Sequence, residues 1–278
     1  MKLKILTDRN TLPDRYYKGE PGFSLYIEDE GTNILFDTGY SGLFLDNARK
    51  MNVNLFETDF VVVSNGRFNH TGGLPDLVKF YTEGLVEDLN YKKPALVTHP
   101  EALDTKIHPA FIETGIPLSK SFLARHFELK LTRKPFMLTD KLFYLGEIPR
   151  RHSFEIITAL SSKLFDGDEI PDKMLEDSAL VYKGKHGLII ITGSAYAGIC
   201  NIIDYARLVC EEDRILDVIG GFNLITPGEK RLKETLRYIK YVKAIDLHPT
   251  MNTDLKSIIA LSTVTIVKET GVGLTLTY

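Results

Sequence analysis

The sequence predicts one α/β domain that spans residues 1–278 and is built as a four-layer αββα sandwich. Two series of strand-like segments support this fold class, because each series is interleaved with amphipathic helices. No low-complexity linker or internal repeat divides the chain, and 278 residues is within the range of a single α/β domain with a large core. We therefore expect two sheets packed face to face, with the helices outside them.

The first strand series lies in the N-terminal part of the chain. Phe23, Leu25 and Ile27 alternate with polar residues, which is typical of a half-buried strand. The continuous apolar run at 60–63 is typical of a strand that is covered on both faces. Ser41 is the predicted N-cap of the first helix. The predicted elements are strands over 2–7, 23–28 and 33–37, a helix over 43–51, a strand over 60–63, a helix over 73–81 and a strand over 95–98.

The second strand series begins near residue 141. Residues 99–140 contain several prolines and no clean period, so no element is predicted there. Ile199, Ile202 and Ile203 lie on one side of the helix predicted over 197–210, as expected for a helix that covers a core. The predicted elements are strands over 141–145, 179–182 and 187–191, a helix over 197–210, a strand over 215–219, a helix over 229–242, a strand over 244–247, a helix over 253–261, and strands over 264–268 and 273–277.

The composition excludes several classes of function. The 34 basic and 37 acidic residues are well mixed and give a net charge of −3, so neither a nucleic-acid-binding face nor a membrane-binding patch is expected. The N-terminus lacks the apolar stretch and cleavage site of a signal peptide, which favours a cytoplasmic protein. Cys200 and Cys210 are too far apart along one helix to be bridged, so both are expected to be reduced.

The segment over residues 60–74 carries the main functional signal. After a buried strand it reads Ser64-Asn-Gly-Arg-Phe-Asn-His70, followed by Thr-Gly-Gly-Leu74. It resembles the metal-binding motif of the metallo-β-lactamase superfamily, in which a strand ends in Ser-His-x-His-x-Asp-His before Thr-Gly-Gly-Leu. Asn65 and Arg67 occupy the positions of the first two histidines, and Asn69 occupies that of the aspartate. His70 alone matches the family's ligands in this motif.

The resemblance extends over about residues 1–250 and is strongest to the dihydropterin-phosphate-synthase-like metal-dependent hydrolases. The matching blocks, in family order, are Phe36–Gly39, Ser41–Phe44 with Asn47-Ala48, Gly146–Arg150, Glu176–Leu180, Gly193–Ile199 and Ile219–Leu224. In that branch two of these blocks each supply a metal-binding histidine, and those positions are Tyr196 and Asn223 here. A substrate-contacting His-Cys-Thr-Gly loop is represented by His248-Pro-Thr-Met251.

The resemblance implies the fold, whereas the residue changes argue against the family's metal chemistry. Five of its six ligand positions have changed: 65, 67, 69, 196 and 223. An arginine has no lone pair to donate and is always protonated. At 4 Å and an effective dielectric constant of 20, its charge would repel a dication by about 8 kcal/mol. We therefore predict no metal and no other cofactor at the first site, while Asn69, His70, Asn223 and His248 leave a weak second site open.

Two polar residues of the matching segments, Asp37 and His70, have alternative interpretations. In the family, the aspartate at the position of Asp37 orients the metal ligands. Here we favour an ion pair between Asp37 and Arg67, because a buried guanidinium needs a carboxylate partner. His70 is interpreted as a hydrogen-bonded histidine that braces its loop.

Three hypotheses of function follow. The first is a metal-free, non-hydrolytic or weakly active homologue that binds an anionic small molecule, a phosphate ester or a carboxylate, in the vestigial cleft. The second is a hydrolase with one weak or unusual metal site, or with acid–base chemistry by His70, Tyr196 and His248 alone. The third is a scaffold protein, and a homo-oligomer is left open in each case. The predicted site comprises His70, Tyr196 and His248 as catalytic residues, and Asp37, Asn65, Arg67, Asn69 and Asn223 as ligand-binding residues.

Overall fold

The structure is a computed structural model that describes residues 1–89, 91–110, 113–156, 159, 161–165 and 167–278. Its chain divides into two compact units. The first unit comprises Met1–Arg133, Ala159–Glu176 and Gly271–Tyr278, and the second comprises Lys134–Thr158 and Asp177–Thr270. The interpretation of residues 1–278 as one domain stays a prediction.

The described residues form seventeen strands and seven α-helices. In chain order they are β1 (Lys2–Thr7), β2 (Ser24–Asp29), β3 (Thr32–Phe36), α1 (Leu43–Lys50), β4 (Phe60–Val62), α2 (Phe68–Thr71), α3 (Leu74–Val86), β5 (Ala95–Thr98), β6 (Lys106–Ile107), α4 (Lys120–His126), β7 (Glu128–Leu131), β8 (Phe136–Met137), β9 (Leu142–Tyr144), β10 (Ser162–Phe165), β11 (Asp168–Pro171), β12 (Ala179–Gly184), β13 (Gly187–Thr192), α5 (Ile199–Cys210), β14 (Ile215–Gly221), α6 (Glu229–Val242), β15 (Asp246–Thr250), α7 (Leu255–Leu261), β16 (Ile266–Val267) and β17 (Thr275–Thr277).

The first unit is built on a seven-stranded sheet with the order β17-β1-β2-β3-β4-β5-β7. Strands β3, β4, β5 and β7 are parallel, so their carboxyl ends lie at the same edge of the sheet. Leu35, Val61 and Leu96 from these strands are fully buried in a core that also contains Leu74 and Leu77 of α3. A separate three-stranded sheet has the order β11-β10-β6. The carboxyl ends of β3 and β4 position the residues of the motif.

The second unit is built on another seven-stranded sheet, with the order β16-β15-β14-β13-β12-β9-β8. Strands β13, β14, β15 and β16 are parallel. The apolar face of α5, with Ile199, Ile202 and Ile203, is fully buried against this sheet's core, as the sequence pattern predicted. Cys200 and Cys210 are free and buried, which confirms the prediction of two unbridged thiols.

The predicted helices and strands outside 99–140 are confirmed, with boundaries that differ by a few residues. The strands and α-helices that the sequence did not predict are α2, β6, α4, β7, β8, β10 and β11, most of which are shorter than five residues. The cap residue of α1 is Gly42, one residue after the predicted Ser41, although the Ser41 hydroxyl accepts from the N–H of Leu43 at 3.2 Å and donates to Glu20 at 2.6 Å. Among the described residues, no helix has the length and apolar character that crossing a membrane requires.

Candidate functional site

Asp37 lies at the carboxyl end of β3 and is the centre of the motif in the first unit. Its φ of +57° places it in the left-handed region, and its N–H donates to the carbonyl of Val62 on β4 at 2.8 Å. Its Oδ1 accepts from the N–H of Ser64 at 2.7 Å, and its Oδ2 accepts from the Ser64 hydroxyl at 2.7 Å. The same Oδ2 lies 2.7 Å from Nδ1 of His70. All three residues are fully buried, so Asp37 ties the ends of both strands to the loop that follows.

His70 is held by this carboxylate in one orientation. Because an ionised carboxylate only accepts, Nδ1 carries a proton, and in the neutral tautomer the lone pair is on Nε2. The carbonyl of His70 accepts from both the N–H and the hydroxyl of Thr38, at 2.8 and 3.2 Å. Metal-ligating histidines in proteins commonly have this carboxylate partner on their other ring nitrogen. The carboxylate of Asp37 thus orients His70 in the way that is common for ligand histidines.

The predicted ion pair between Asp37 and Arg67 is wrong. The oxygens of Asp37 are occupied by Ser64 and His70, whereas Nη2 of Arg67 donates to the hydroxyl of Ser161 at 2.8 Å. Arg67 has the extended backbone of a helix N-cap, with φ −80° and ψ 150°, and its side chain contacts Ser161 rather than Asp37. Asp37 therefore orients His70, the alternative that the sequence interpretation ranked second.

The two asparagines of the motif have different surroundings. Asn65 is fully buried and both ends of its amide are bonded within the loop. Its Nδ2 donates to the Ser64 hydroxyl at 3.1 Å, and its Oδ1 accepts from the N–H of Arg67 at 3.1 Å. Asn69 is partly exposed, and its backbone carbonyl accepts from the N–H of Phe23 at 3.1 Å. Asn65 thus forms the turn that presents Arg67, which is a common role of asparagine in loops.

The glycines that follow His70 are required by close packing. A Cβ atom at Gly72 would lie 2.1 Å from the carbonyl oxygen of Tyr40, and one at Gly73 would lie 2.3 Å from that of Thr38. No side chain can be accommodated at such distances without moving the backbone. The Thr-Gly-Gly sequence therefore preserves the backbone of the motif.

His248 of β15 forms a second buried pair, in the second unit. Its Nδ1 lies 2.9 Å from Oδ1 of Asp217 on the adjacent parallel strand β14, and both side chains are almost fully buried. Sequence analysis missed Asp217, because a partner 31 residues away on a neighbouring strand has no local spacing that marks it.

Tyr196 and Asn223 are the other site residues predicted in the second unit. Tyr196 is half-buried in the loop between β13 and α5, and Asn223 follows β14 with a φ of +52°. Nδ2 of Asn223 is buried and has no hydrogen-bond partner among the residues that the structure describes. Buried amide groups are nearly always bonded, so this nitrogen is suited to a polar ligand atom.

The residues present do not fit the family's metal site. Within the described ranges, no group of three or more histidine, cysteine, aspartate or glutamate side chains is arranged to hold a metal ion. The carboxylates of Asp37 and Asp217 both bond to a histidine, and Arg67 brings a permanent positive charge to the motif. The donor set therefore lacks the converging ligands that a two-ion centre requires.

A buried charged cluster, which sequence analysis missed, adjoins Arg67. Lys106 of β6 is fully buried, and its Nζ lies 3.1 Å from Oδ2 of Asp172 and 2.5 Å from Oε1 of Glu176. Desolvation raises the pKa of Glu176, with the charge of Lys106 acting in the opposite direction. The only signal in the sequence was a lysine inside an otherwise unassigned segment.

Comparison with known proteins defines the class to which this architecture belongs. The structure is similar to a solved metal-dependent hydrolase of the β-lactamase superfamily, with a TM-score of 0.84 and 23% identity over 100% of this chain and 99% of that one. The metallo-β-lactamase fold protein YhfI from Bacillus subtilis gives a TM-score of 0.62 at 12% identity, covering 99% and 98%. The chain has the metallo-β-lactamase fold, and the predicted fold class is confirmed.

The sequence is also similar to two proteins of Methanocaldococcus jannaschii. One is an uncharacterized protein, 28% identical over 243 residues, or 86% of this chain and 85% of the relative. The other is a 7,8-dihydropterin-6-methyl-4-(beta-D-ribofuranosyl)-aminobenzene-5'-phosphate synthase, 29% identical over 233 residues, or 79% of this chain and 76% of the relative. The predicted resemblance to this branch is thus confirmed. No protein-family model matches the sequence.

Because Asp37 accepts hydrogen bonds from Ser64 and contacts His70, its replacement is expected to lower the stability of the protein. Replacing Asp37 with asparagine leaves one oxygen acceptor but turns an NH₂ group toward the Ser64 hydroxyl or the His70 ring. We expect the free energy of unfolding, measured by urea denaturation, to fall by about 1.5–3 kcal/mol, the range for buried hydrogen bonds to charged groups.

The exposed Asp46 of α1 provides the control for this substitution. Asp46→Asn removes the same charge but affects only surface ion pairs at 3.5 and 3.7 Å, so its effect should stay below about 1 kcal/mol. Equal effects of the two substitutions would show that Asp37 does not hold the motif together.

Proposed function

We propose that this chain is a metallo-β-lactamase-fold protein that has lost most metal ligands and binds an anionic small molecule in its vestigial active-site cleft. The ligand is a phosphate ester or a carboxylate, and hydrolysis is absent or weak. This proposal rests on the position of Arg67. Its guanidinium replaces a metal ligand of the metallo-β-lactamase superfamily, and the Ser161 hydroxyl accepts a hydrogen bond from it at 2.8 Å. Guanidinium groups bind phosphates and carboxylates through paired, charge-assisted hydrogen bonds.

The other motif residues support an anionic ligand. His70 is fixed through Nδ1, and Asn65 fixes the turn from which the Arg67 side chain extends. Asn223 adds a buried amide nitrogen that can donate a hydrogen bond. Asn69, Tyr196 and His248 are the remaining polar residues that we assign to ligand binding or to residual acid–base chemistry. Without a metal, water keeps its ordinary pKa, so a hydrolytic reaction here would be slow.

A specific observation favours a second candidate, a hydrolase with one weak or unusual metal site. His70 and His248 each have a buried carboxylate on Nδ1, the partner that metal-ligating histidines commonly have. In the first unit, Asn69 and His70 would provide donors for such an ion. Neutral amide donors bind zinc weakly, which is why we rank this candidate second.

Metal analysis and an anion titration separate the two candidates. We expect protein purified without chelator to contain far less than one zinc per chain, and we expect inorganic phosphate to bind in isothermal titration calorimetry. Arg67→Gln should raise the dissociation constant for phosphate about tenfold or more, since charge-assisted hydrogen bonds contribute about 1.5–3 kcal/mol.

Arg125→Gln is the matched control, because Arg125 lies exposed on α4 and carries the same charge. Its affinity for phosphate should equal that of the unchanged protein. Stoichiometric zinc would favour the hydrolase candidate, and an equal loss of affinity in both variants would show that phosphate responds to overall charge and not to Arg67.

A further inference from the structure

Arg67 is connected to the buried charged cluster by a single hydroxyl group. Its Nη2 donates to Oγ of Ser161 at 2.8 Å, and this Oγ lies 3.3 Å from Oδ2 of Asp172. The same Oδ2 accepts from Nζ of Lys106 at 3.1 Å, and Lys106 also pairs with Glu176. All five residues belong to the first unit. The guanidinium of the motif is thus part of a continuous chain of polar contacts that includes Ser161, Asp172 and Lys106.

The direction of each hydrogen bond in this chain is fixed by chemistry. A guanidinium can only donate and an ionised carboxylate can only accept. The Ser161 hydroxyl, which has one proton, must therefore donate to Asp172 and accept from Arg67. Oδ1 of Asp172 accepts from the N–H of Met174 at 2.9 Å, which fixes the carboxylate in turn. Hydrogen bonds aligned in this way polarise and strengthen one another.

The cluster is rigid because it is buried and packed against the motif loop. Lys106 is fully buried, and Asp172, Glu176 and Ser161 are 2%, 1% and 6% exposed. A Cβ atom at Gly66 would lie 3.0 Å from Cε of Lys106, so the lysine stem packs directly against the loop that carries Arg67. With Arg67 included, two cations face two carboxylates, and burying an unbalanced charge here would be costly.

We infer that Ser161 and Asp172 are positioning residues that set the affinity of Arg67 for its anionic ligand. This inference rests on the proposed function. A guanidinium that is already held in one conformation loses less side-chain entropy when a ligand binds, so its affinity is higher than that of a mobile arginine. Ser161 acts on the ligand only through Arg67, since its proton is given to Asp172.

The test is a titration of inorganic phosphate into single variants at fixed pH and salt. We expect Ser161→Ala to raise the dissociation constant about tenfold, the equivalent of one hydrogen bond to a charged group. Ser161→Thr keeps the hydroxyl and should restore the affinity to within about twofold of the unchanged protein. Asp172→Asn should weaken binding severalfold, because the amide no longer fixes the direction of the hydroxyl.

The adjacent Ser162 supplies a matched control, since its hydroxyl donates to the carboxylate of Glu169 and has no part in the chain to Arg67. Ser162→Ala should bind phosphate as tightly as the unchanged protein. If Ser161→Ala does not fold, the comparison of Asp172→Asn with Ser162→Ala decides the question.

The outcomes separate this inference from the function on which it rests. If the unchanged protein binds no phosphate, or if Arg67→Gln binds it equally well, the proposed function fails. If Arg67→Gln loses affinity while Ser161→Ala and Asp172→Asn keep it, the proposed function stands and the positioning role is overturned. Loss of affinity in Ser161→Ala without recovery in Ser161→Thr would also overturn it, because the hydroxyl would then not be the cause.

Discussion

Replacing Lys106 with methionine is expected to lower the free energy of unfolding by about 3–5 kcal/mol at neutral pH, the usual cost of removing one partner from a buried ion pair. Lys106 is fully buried and pairs with both Asp172 and Glu176, at 3.1 and 2.5 Å. Methionine fills a similar volume, so the loss of charge dominates the result rather than the creation of a cavity. The measurement is urea denaturation followed by circular dichroism.

The effect of this substitution should also depend on pH. Desolvation raises the pKa of Glu176, and the charge of Lys106 opposes that rise. In Lys106→Met the pKa should rise further, so the folded protein holds its proton more tightly than the unfolded chain. A raised carboxyl pKa favours folding at low pH, and this contribution is lost as the pH increases through the folded-state pKa. The destabilisation should therefore be largest at pH 7 and smaller near pH 5.

Lys92→Met is the control for both measurements. Lys92 pairs with Asp59 at 2.8 Å, but 74% of its side chain is exposed to solvent. Exposed ion pairs contribute about 0–1 kcal/mol, so this variant should unfold almost as the unchanged protein does. Equal stabilities of Lys106→Met and Lys92→Met, or a destabilisation that grows as the pH falls, would contradict the role given to the buried cluster.

The sheets were predictable because their residues repeat a local pattern. Phe23, Leu25 and Ile27 alternate in sequence, and all three are fully buried in the structure. The segment around β6 was not predictable for the opposite reason. β6 has two residues, and its buried residue is Lys106, a type that normally indicates an exposed position. When the buried position of a strand is a charged residue, the sequence shows no alternation of apolar and polar residues from which the strand could be predicted.

The sequence motif indicated which residues form the candidate site, but it did not predict which side chains contact each other there. The sequence placed Arg67 and His70 in one motif and Asp37 in a separate block, and we favoured the pairing of the opposite charges of Asp37 and Arg67. The structure instead pairs Asp37 with His70 and brings Ser161, 94 residues away, to Arg67. Such a partner is determined by tertiary packing of a segment that the pattern analysis left unassigned. The positions of Tyr196, Asn223 and His248 came from the family resemblance, and their roles in binding stay predictions.

Restoring the family's ligands should restore zinc binding. The variant combines Asn65→His, Arg67→His, Asn69→Asp, Tyr196→His and Asn223→His, which together with His70 gives six family-type ligands. The backbone of the motif is suited to this change, since Gly72 and Gly73 keep the close contacts with the carbonyls of Tyr40 and Thr38. His70 is already oriented by Asp37 at 2.7 Å, as a ligand histidine should be.

We expect this quintuple variant to bind zinc with micromolar or tighter affinity in a chelator-competition titration, because three or more converging histidine and aspartate donors suffice for zinc. The unchanged protein should bind far more weakly under the same conditions. A quadruple variant that retains Arg67 is the informative control, since the fixed charge that remains repels a dication at the first site. It should therefore take up less zinc than the quintuple variant. If the quintuple variant folds but takes up no zinc, the backbone has diverged together with its ligands, and the family's site geometry does not apply to this chain.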